Sequence, residues 1–303
     1  MNGYHDLGEP VNGFKPLGVN ASSFMCAYQI EQENYVELFT VSNIEEPAGQ
    51  FSWLRVTENE RVVFSDLLVG SYEIVENKMI LRSDGNYISQ YKALSNPSSV
   101  PGAVQYTEPS EQEPFSWVYD ASQGIVQLDG RVYQSTQIIY DHIFSKSSPD
   151  WVDQFLKMFL LGTMSAHCRI EGFSGAGMLQ YLGKTTDFDG LLSGGFELSS
   201  NGLREVTSKF VYHELSEMAG LAINGEMKNI SSMSGNGSLS GIIQFEIKGT
   251  SQTWLGSVDY SKIEIEHTLP VSGEYLVTID NCMFSMDYSY GNPGNFDLTD
   301  ISH

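Results

Sequence analysis

The sequence predicts an all-β protein: two antiparallel β-barrels or sandwiches in tandem, with one amphipathic helix near the middle of the chain. Three observations predict it. Short segments rich in Val, Ile, Thr and aromatic residues alternate apolar and polar positions through most of the chain. Turn-forming clusters such as Ser83-Asp84-Gly85-Asn86, Asp129-Gly130 and Gly235-Asn236-Gly237 recur at hairpin spacing. A three-to-four apolar period dominates only one stretch, over 148–163. With 303 residues the chain has room for two domains. They are expected as an N-terminal barrel over 1–164, ending in the helix, and a C-terminal barrel over 165–303.

In the first half, Glu33 to Val41, Phe51 to Thr57, Tyr72 to Val75, Lys78 to Arg82 and Asn86 to Tyr91 read as strands bounded by Gly, Asn, Asp and Pro. Phe115 to Tyr119, Gly124 to Leu128, Val132 to Ser135 and Gln137 to Phe144 follow. Ser148-Pro149-Asp150 then supplies an N-cap, a proline suited to the first helical position and an acid in the first turn. Trp151, Phe155, Met158 and Phe159 form the apolar stripe of that helix. In the second half, strands are expected at Ser165 to Phe173, Met178 to Leu182, Val206 to Leu215, Ile242 to Lys248, Thr253 to Tyr260, Ile263 to Thr268, Glu274 to Ile279 and Met283 to Tyr290.

Two features interrupt this regularity. Leu94 to Pro114 contains Pro97, Pro101, Pro109 and Pro114, and reads as a linker or a strap crossing the barrel. Phe51-Ser52-Trp53 and Phe115-Ser116-Trp117 repeat, each followed by a Val-bearing return strand, and Thr253-Trp254 begins a third hairpin of similar length.

Composition excludes several functions. The 16 Lys and Arg stand against 38 Asp and Glu, a formal net charge of −22, which repels nucleic acid and anionic membrane surfaces. No apolar run approaches the ~20 residues of a membrane span. Cys26, Cys168 and Cys282 form no CxxC pair and lie in apolar or alternating segments, as buried structural thiols do. The first thirty residues lack a basic stretch followed by an apolar one, so a cytoplasmic location is expected, with secretion after signal-peptide removal as the alternative.

Familiar catalytic motifs fail on inspection. Gly183-Lys184-Thr185 lacks the preceding glycine of a phosphate-binding loop, because Met178 stands five residues before Gly183. Asp187-Phe188-Asp189-Gly190 lacks the later ligands of a calcium loop, and His213-Glu214-Leu215-Ser216-Glu217 lacks the second His of a zinc site. No metal site or cofactor is expected.

What remains are ionisable residues on apolar strand faces. Read as a strand, Gln137 to Phe144 places Ile138, Tyr140, His142 and Phe144 on one face and Asp141 on the other. Ile263, Ile265 and His267 share a face opposite Glu264 and Glu266, a pair whose plain reading is a solvated acidic face. His142, His213 and His267, with Glu214 and Asp141, are the candidate catalytic acids and bases. Trp53, Trp117, Tyr140, Tyr212 and Trp254 are the candidate substrate-binding aromatics, and Tyr72 could help to shape the same cavity.

Eight antiparallel strands followed by a helix, then a second set of strands, resembles the two-lipocalin-domain group that includes hydroxyneurosporene synthase (carotenoid hydratase). The resemblance lies in strand count and order. Neither a Gly-x-Trp start (Gly49 and Trp53 are too far apart) nor an Asp/Asn-Trp-Gly segment is present, so no catalytic residue carries over. It implies lipocalin-like barrels, each able to hold one ligand. The function expected is cofactor-free acid–base chemistry (hydration, isomerisation or cyclisation) on an apolar isoprenoid- or polyketide-like molecule. The alternatives are a non-catalytic lipid- or pigment-binding protein, and a secreted β-sandwich surface or carbohydrate-binding protein.

Overall fold

A computed structural model of the chain describes residues 17, 21–31, 33–58, 62–92, 105–107, 110–145, 151, 154–155, 158–159, 161, 185–187, 195–200, 205–212, 216, 218–232, 237–266, 269–280 and 282–289. The first half forms β1 (Ser22–Ile30), β2 (Glu33–Val41), β3 (Ala48–Glu58), β4 (Val62–Val75), β5 (Lys78–Lys92), β6 (Gln105–Thr107), β7 (Ser110–Glu111), β8 (Phe115–Asp120), β9 (Ile125–Leu128), β10 (Arg131–Ser135) and helix α1 (Thr136–Ser145). The second half forms β11 (Thr185–Asp187), β12 (Gly195–Ser200), β13 (Glu205–Tyr212), β14 (Leu221–Ser232), β15 (Gly237–Lys248), β16 (Thr253–Glu266), β17 (Leu269–Ile279) and β18 (Cys282–Ser289).

Eight strands close a barrel in the order β4-β3-β2-β1-β10-β9-β8-β5, with β5 returning to β4. Every pairing is antiparallel, and tight turns set the registers. Asp129-Gly130 joins β9 to β10 with both residues at positive φ (49° and 81°), the turn whose twist matches a hairpin. Glu31 and Glu76 take the same left-handed conformation in the β1–β2 and β4–β5 turns. This barrel is compatible with the lipocalin-like architecture.

The second half does not form a second closed barrel among the described residues. Its eight strands make one antiparallel sheet in simple chain order from β11 to β18, without a pairing that joins its ends.

Side-chain alternation divides the barrel into two environments. Phe24, Phe39, Phe51, Tyr72, Met79, Leu81, Trp117, Leu128 and Tyr133 point inward and form one apolar cluster. The opposite parity of the same strands, including Met25, Val36, Leu38, Leu54, Val56, Leu67 and Val69, points outward and is equally buried. It packs against Ile139, Tyr140 and Ile143 of α1, against Phe155 and Phe159, and against Ile243, Phe245, Ile247, Trp254 and Val258 of the second sheet. The helices therefore lie between barrel and sheet, and β2 is buried on both faces from Val36 to Val41. Polar groups bridge the layers too. Ser23 and Thr40 share a hydrogen bond of 2.8 Å, the Ala219 amide donates to Ser23 Oγ at 2.8 Å, and Thr136 Oγ1 donates to the Ala219 carbonyl at 3.1 Å.

Several sequence expectations are corrected. Gln137 to Phe144 is helical, not a strand. Its buried residues Thr136, Ile139, Tyr140 and Ile143 follow i, i+3, i+4, i+7, and a dense run of Ile and aromatics satisfies both periods. The expected helix over 148–163 is helical at Trp151, Gln154, Phe155, Met158, Phe159 and Leu161, so it is preceded by another. Ser83-Asp84-Gly85-Asn86 is not a hairpin turn. Val69 pairs with Gly85 and Gly70 with Ser83, leaving Asp84 as the extra residue of a bulge inside one continuous β5. Likewise Thr253 to Glu266 is a single strand.

The strap at Leu94 to Pro114 is partly strand, with β6 and β7 laid against β5. Strands β1, β12 and β14 were not anticipated. Cys282 is exposed rather than buried, while Cys26 is half-buried. The segments Ser165 to Phe173 and Met178 to Leu182, Cys168 and the motifs at 183 and 189–190 lie outside the described residues. No helix among the described residues is long and apolar enough to cross a membrane.

Phe155 is fully buried between layers, its ring tilted against that of Phe245 with centroids 4.6 Å apart and close to Phe144 and Phe159. Phe155→Ala should cost about 3–5 kcal/mol. Denaturant unfolding followed by far-UV circular dichroism checks this; a loss below about 1 kcal/mol would show that the helix layer does not hold barrel and sheet together.

Candidate functional site

Strand alternation places one carboxylate where apolar residues are expected. On β2, Tyr35, Glu37, Phe39 and Val41 share the inward face, and Glu37 is completely buried. A lone buried carboxylate would be strongly disfavoured unless paired and hydrogen-bonded. Here the neighbouring strands supply both. Tyr28 of β1 donates its hydroxyl to Oε1 at 2.5 Å. Arg55 Nε of β3 and an Arg131 terminal nitrogen of β10 donate to the same oxygen at 3.1 and 2.9 Å. Trp53 Nε1 donates to Oε2 at 3.0 Å, and the buried Tyr133 hydroxyl donates to Oε2 as well.

Five donors from three strands saturate the acceptor capacity of one carboxylate. Burial pushes the Glu37 pKa upward, but the tyrosine hydrogen bonds and the two guanidinium charges outweigh it, and the net direction is down. Burial and the facing carboxylate hold the Tyr28 and Tyr133 phenols well above their ordinary range, so both stay protonated donors. Cys26, beside this group, is pushed up to about 11 by burial and by the Glu37 charge. None of these shifts places a proton donor or acceptor near neutrality, as general acid–base catalysis would require. The donors hold Glu37 ionised inside the barrel.

Those groups lie at one end of the barrel, beside the β1–β2 and β9–β10 turns. The Arg55 and Arg131 side chains are 40% and 42% exposed, although both reach the fully buried Glu37. Arg131 also lies over the Tyr28 ring at 4.5 Å, and Arg55 over Trp53 at 5.6 Å. Tyr28 stacks on Tyr35 with centroids 5.0 Å apart and planes within 3°. Tyr35 in turn donates to Glu33 at 2.6 Å, and Ile30 is 48% exposed at the rim. Asp66 stands opposite Arg55 on β4. Beneath this mouth the barrel is filled: Phe39, Phe51, Tyr72 and Leu128 are each at most 2% exposed.

The residues singled out from sequence divide between regions. Trp53 belongs to the mouth and Trp117 to the barrel interior, both touching Phe39. The two repeated Phe-Ser-Trp segments meet inside the barrel, where Trp53 packs edge-on against Phe115 at 5.5 Å. Tyr140 and Trp254 instead lie in the layer between barrel and sheet. Tyr140 donates to Met218 Sδ at 2.8 Å, and the Trp254 ring lies tilted against Phe144 with centroids 4.6 Å apart.

His142 is exposed on α1 rather than directed from a strand face. Asp141, also on α1, accepts from the Thr250 amide at 3.1 Å and from the Thr250 hydroxyl, tying the helix to the β15–β16 turn. Glu264 is exposed on β16. His213, Glu214 and His267 lie outside the described residues, and Tyr212 is described only as part of β13. Among the described residues no cluster of His, Cys, Asp and Glu has the grouping to hold a metal ion.

Sequence reasoning missed Glu37, Arg55, Arg131, Tyr28 and Tyr133. The signal for Glu37 was its parity with Phe39 and Val41; its donors come from strands far apart in sequence. No protein-family model, curated protein or solved structure matches this chain.

Because the folded pKa of Glu37 is depressed, its stabilising contribution is fully present above the unfolded-state value of about 4.3. It is lost as pH falls through the folded value. Glu37→Gln should therefore destabilise the protein by about 3–5 kcal/mol at neutral pH. The deficit should shrink under acid, and urea titrations at neutral pH and near pH 3 check both statements. A pH-independent deficit would mean that Glu37 is not held ionised by its neighbours.

Proposed function

We propose that the protein is a non-catalytic binding protein for a small, largely apolar molecule, which it holds at the mouth of the N-terminal barrel. The observation that carries this reading is the five-donor arrangement around Glu37. It fixes two aromatic rings and two half-exposed guanidinium groups in place at the open end, above an interior already filled by side chains. Binding sites of this kind combine apolar and aromatic walls with a few convergent polar groups. Rigid side chains lose little freedom when a ligand arrives.

Acid–base conversion of the ligand is less well supported. His142 lies on the exposed side of α1, and the Tyr28 and Tyr133 hydroxyls are committed to Glu37. The wider resemblance to paired lipocalin-like domains belongs to the same proposal. On that reading the β11–β18 meander is the counterpart of the barrel.

N-phenylnaphthylamine, a neutral apolar probe that brightens on leaving water, tests the placement. It should bind saturably with about one equivalent, and Ile30→Glu at the rim should weaken it at least fivefold. Ile30 is exposed, so this substitution spares the core. Saturable binding indifferent to Ile30→Glu would overturn the reading.

A further inference from the structure

The hydrogen-bonding capacity of the mouth is unevenly spent. Glu37 accepts five hydrogen bonds, and Glu33 accepts from Tyr35. Arg55 uses Nε on Glu37, and Arg131 uses one terminal nitrogen. The other guanidinium nitrogens of these residues make no hydrogen bond to another described residue beyond the Glu37–Tyr133 group, and both side chains are about 40% exposed. The two groups converge on the same oxygen, Oε1, so they lie side by side, and each side chain keeps about 40% of its surface exposed. Paired guanidinium forks match the geometry of a carboxylate, sulfonate or phosphate.

We propose that the mouth recognises an organic anion: a small molecule with one acidic head on the Arg55–Arg131 pair and an apolar or aromatic body against Ile30, Tyr35 and Trp53. This rests on the mouth being the binding site and adds the chemical class of its ligand. Glu37 offsets one guanidinium charge, and Glu33 and Asp66 stand at the same end, so the acidic head is held by directed N–H donors rather than by net charge. The net charge of −22 repels anions from the surface at large, so an anion retained by this protein would be retained by a local site.

The test compares anilinonaphthalene sulfonate, an amphipathic aromatic anion, with neutral N-phenylnaphthylamine on the full chain. Wild-type protein should prefer the anionic probe at least tenfold. Arg131→Gln and Arg55→Gln should each lower the ratio of the two affinities about tenfold, with Arg131→Lys restoring part of it. Far-UV circular dichroism confirms that the variants are folded. Equal affinity for both probes in wild type, or a ratio untouched by the Arg variants, would overturn the anion assignment and leave the mouth as a neutral site. Failure of both probes to bind would overturn the mouth itself as a binding site.

Discussion

The barrel depends on how one buried negative charge is held. Glu37 sits where the β2 parity calls for an apolar residue, and its desolvation is offset only because three neighbouring strands deliver donors to it at once. Tyr28, Trp53, Arg55, Arg131 and Tyr133 cannot all reach it unless β1, β2, β3 and β10 keep their mutual stagger. Slipping any of these strands by one residue would turn its donor to the outer face. The paired registers of β1 with β10 extend only over Phe24 and Met25. Further along the same seam, side chains of Tyr28, Arg131 and Tyr133 join the two strands through the shared carboxylate. Closure of the barrel and order at its mouth are thus one electrostatic arrangement.

That arrangement explains why the mouth is polar while the interior is not. The inward residues below Glu37 are large aromatics and aliphatics whose rings meet around Phe39. Outward residues of the same strands are equally apolar, because helices and the second sheet cover them. A strand buried on both faces admits a charge only where neighbouring strands supply its partners, as they do for Glu37. The functional reading follows from this partition.

Much of the fold was legible in the sequence where local signals were sufficient. Period two located most strands, Asp129-Gly130 marked its hairpin, and Trp151, Phe155 and Phe159 announced a helix. Legibility failed where one local pattern served two structures. Asp84 and Gly85 suit a bulge as well as a turn, and Ile138 to Phe144 is apolar enough to match either a strand or a helix. The candidate site was hidden for a different reason. Its donors lie up to 96 residues from Glu37, as Tyr133 does, and only the closed barrel brings them together. The anticipated aromatic set was split because Tyr140 and Trp254 belong to a layer that sequence periodicity cannot assign.

The buried outer face of the barrel has a consequence for biosynthesis. Leu38, Leu54, Val56 and Leu67 are covered by residues as distant as Phe245 and Val277, and Ser23 waits for the amide of Ala219, 196 residues later. At ~5–20 residues per second, the ribosome needs on the order of ten seconds to pass from the barrel to the strands that cover it. During that interval a complete barrel would emerge with an apolar flank exposed to water. Such a nascent chain is a natural client for a chaperone, and a fragment ending after the barrel would be expected to self-associate rather than remain dispersed.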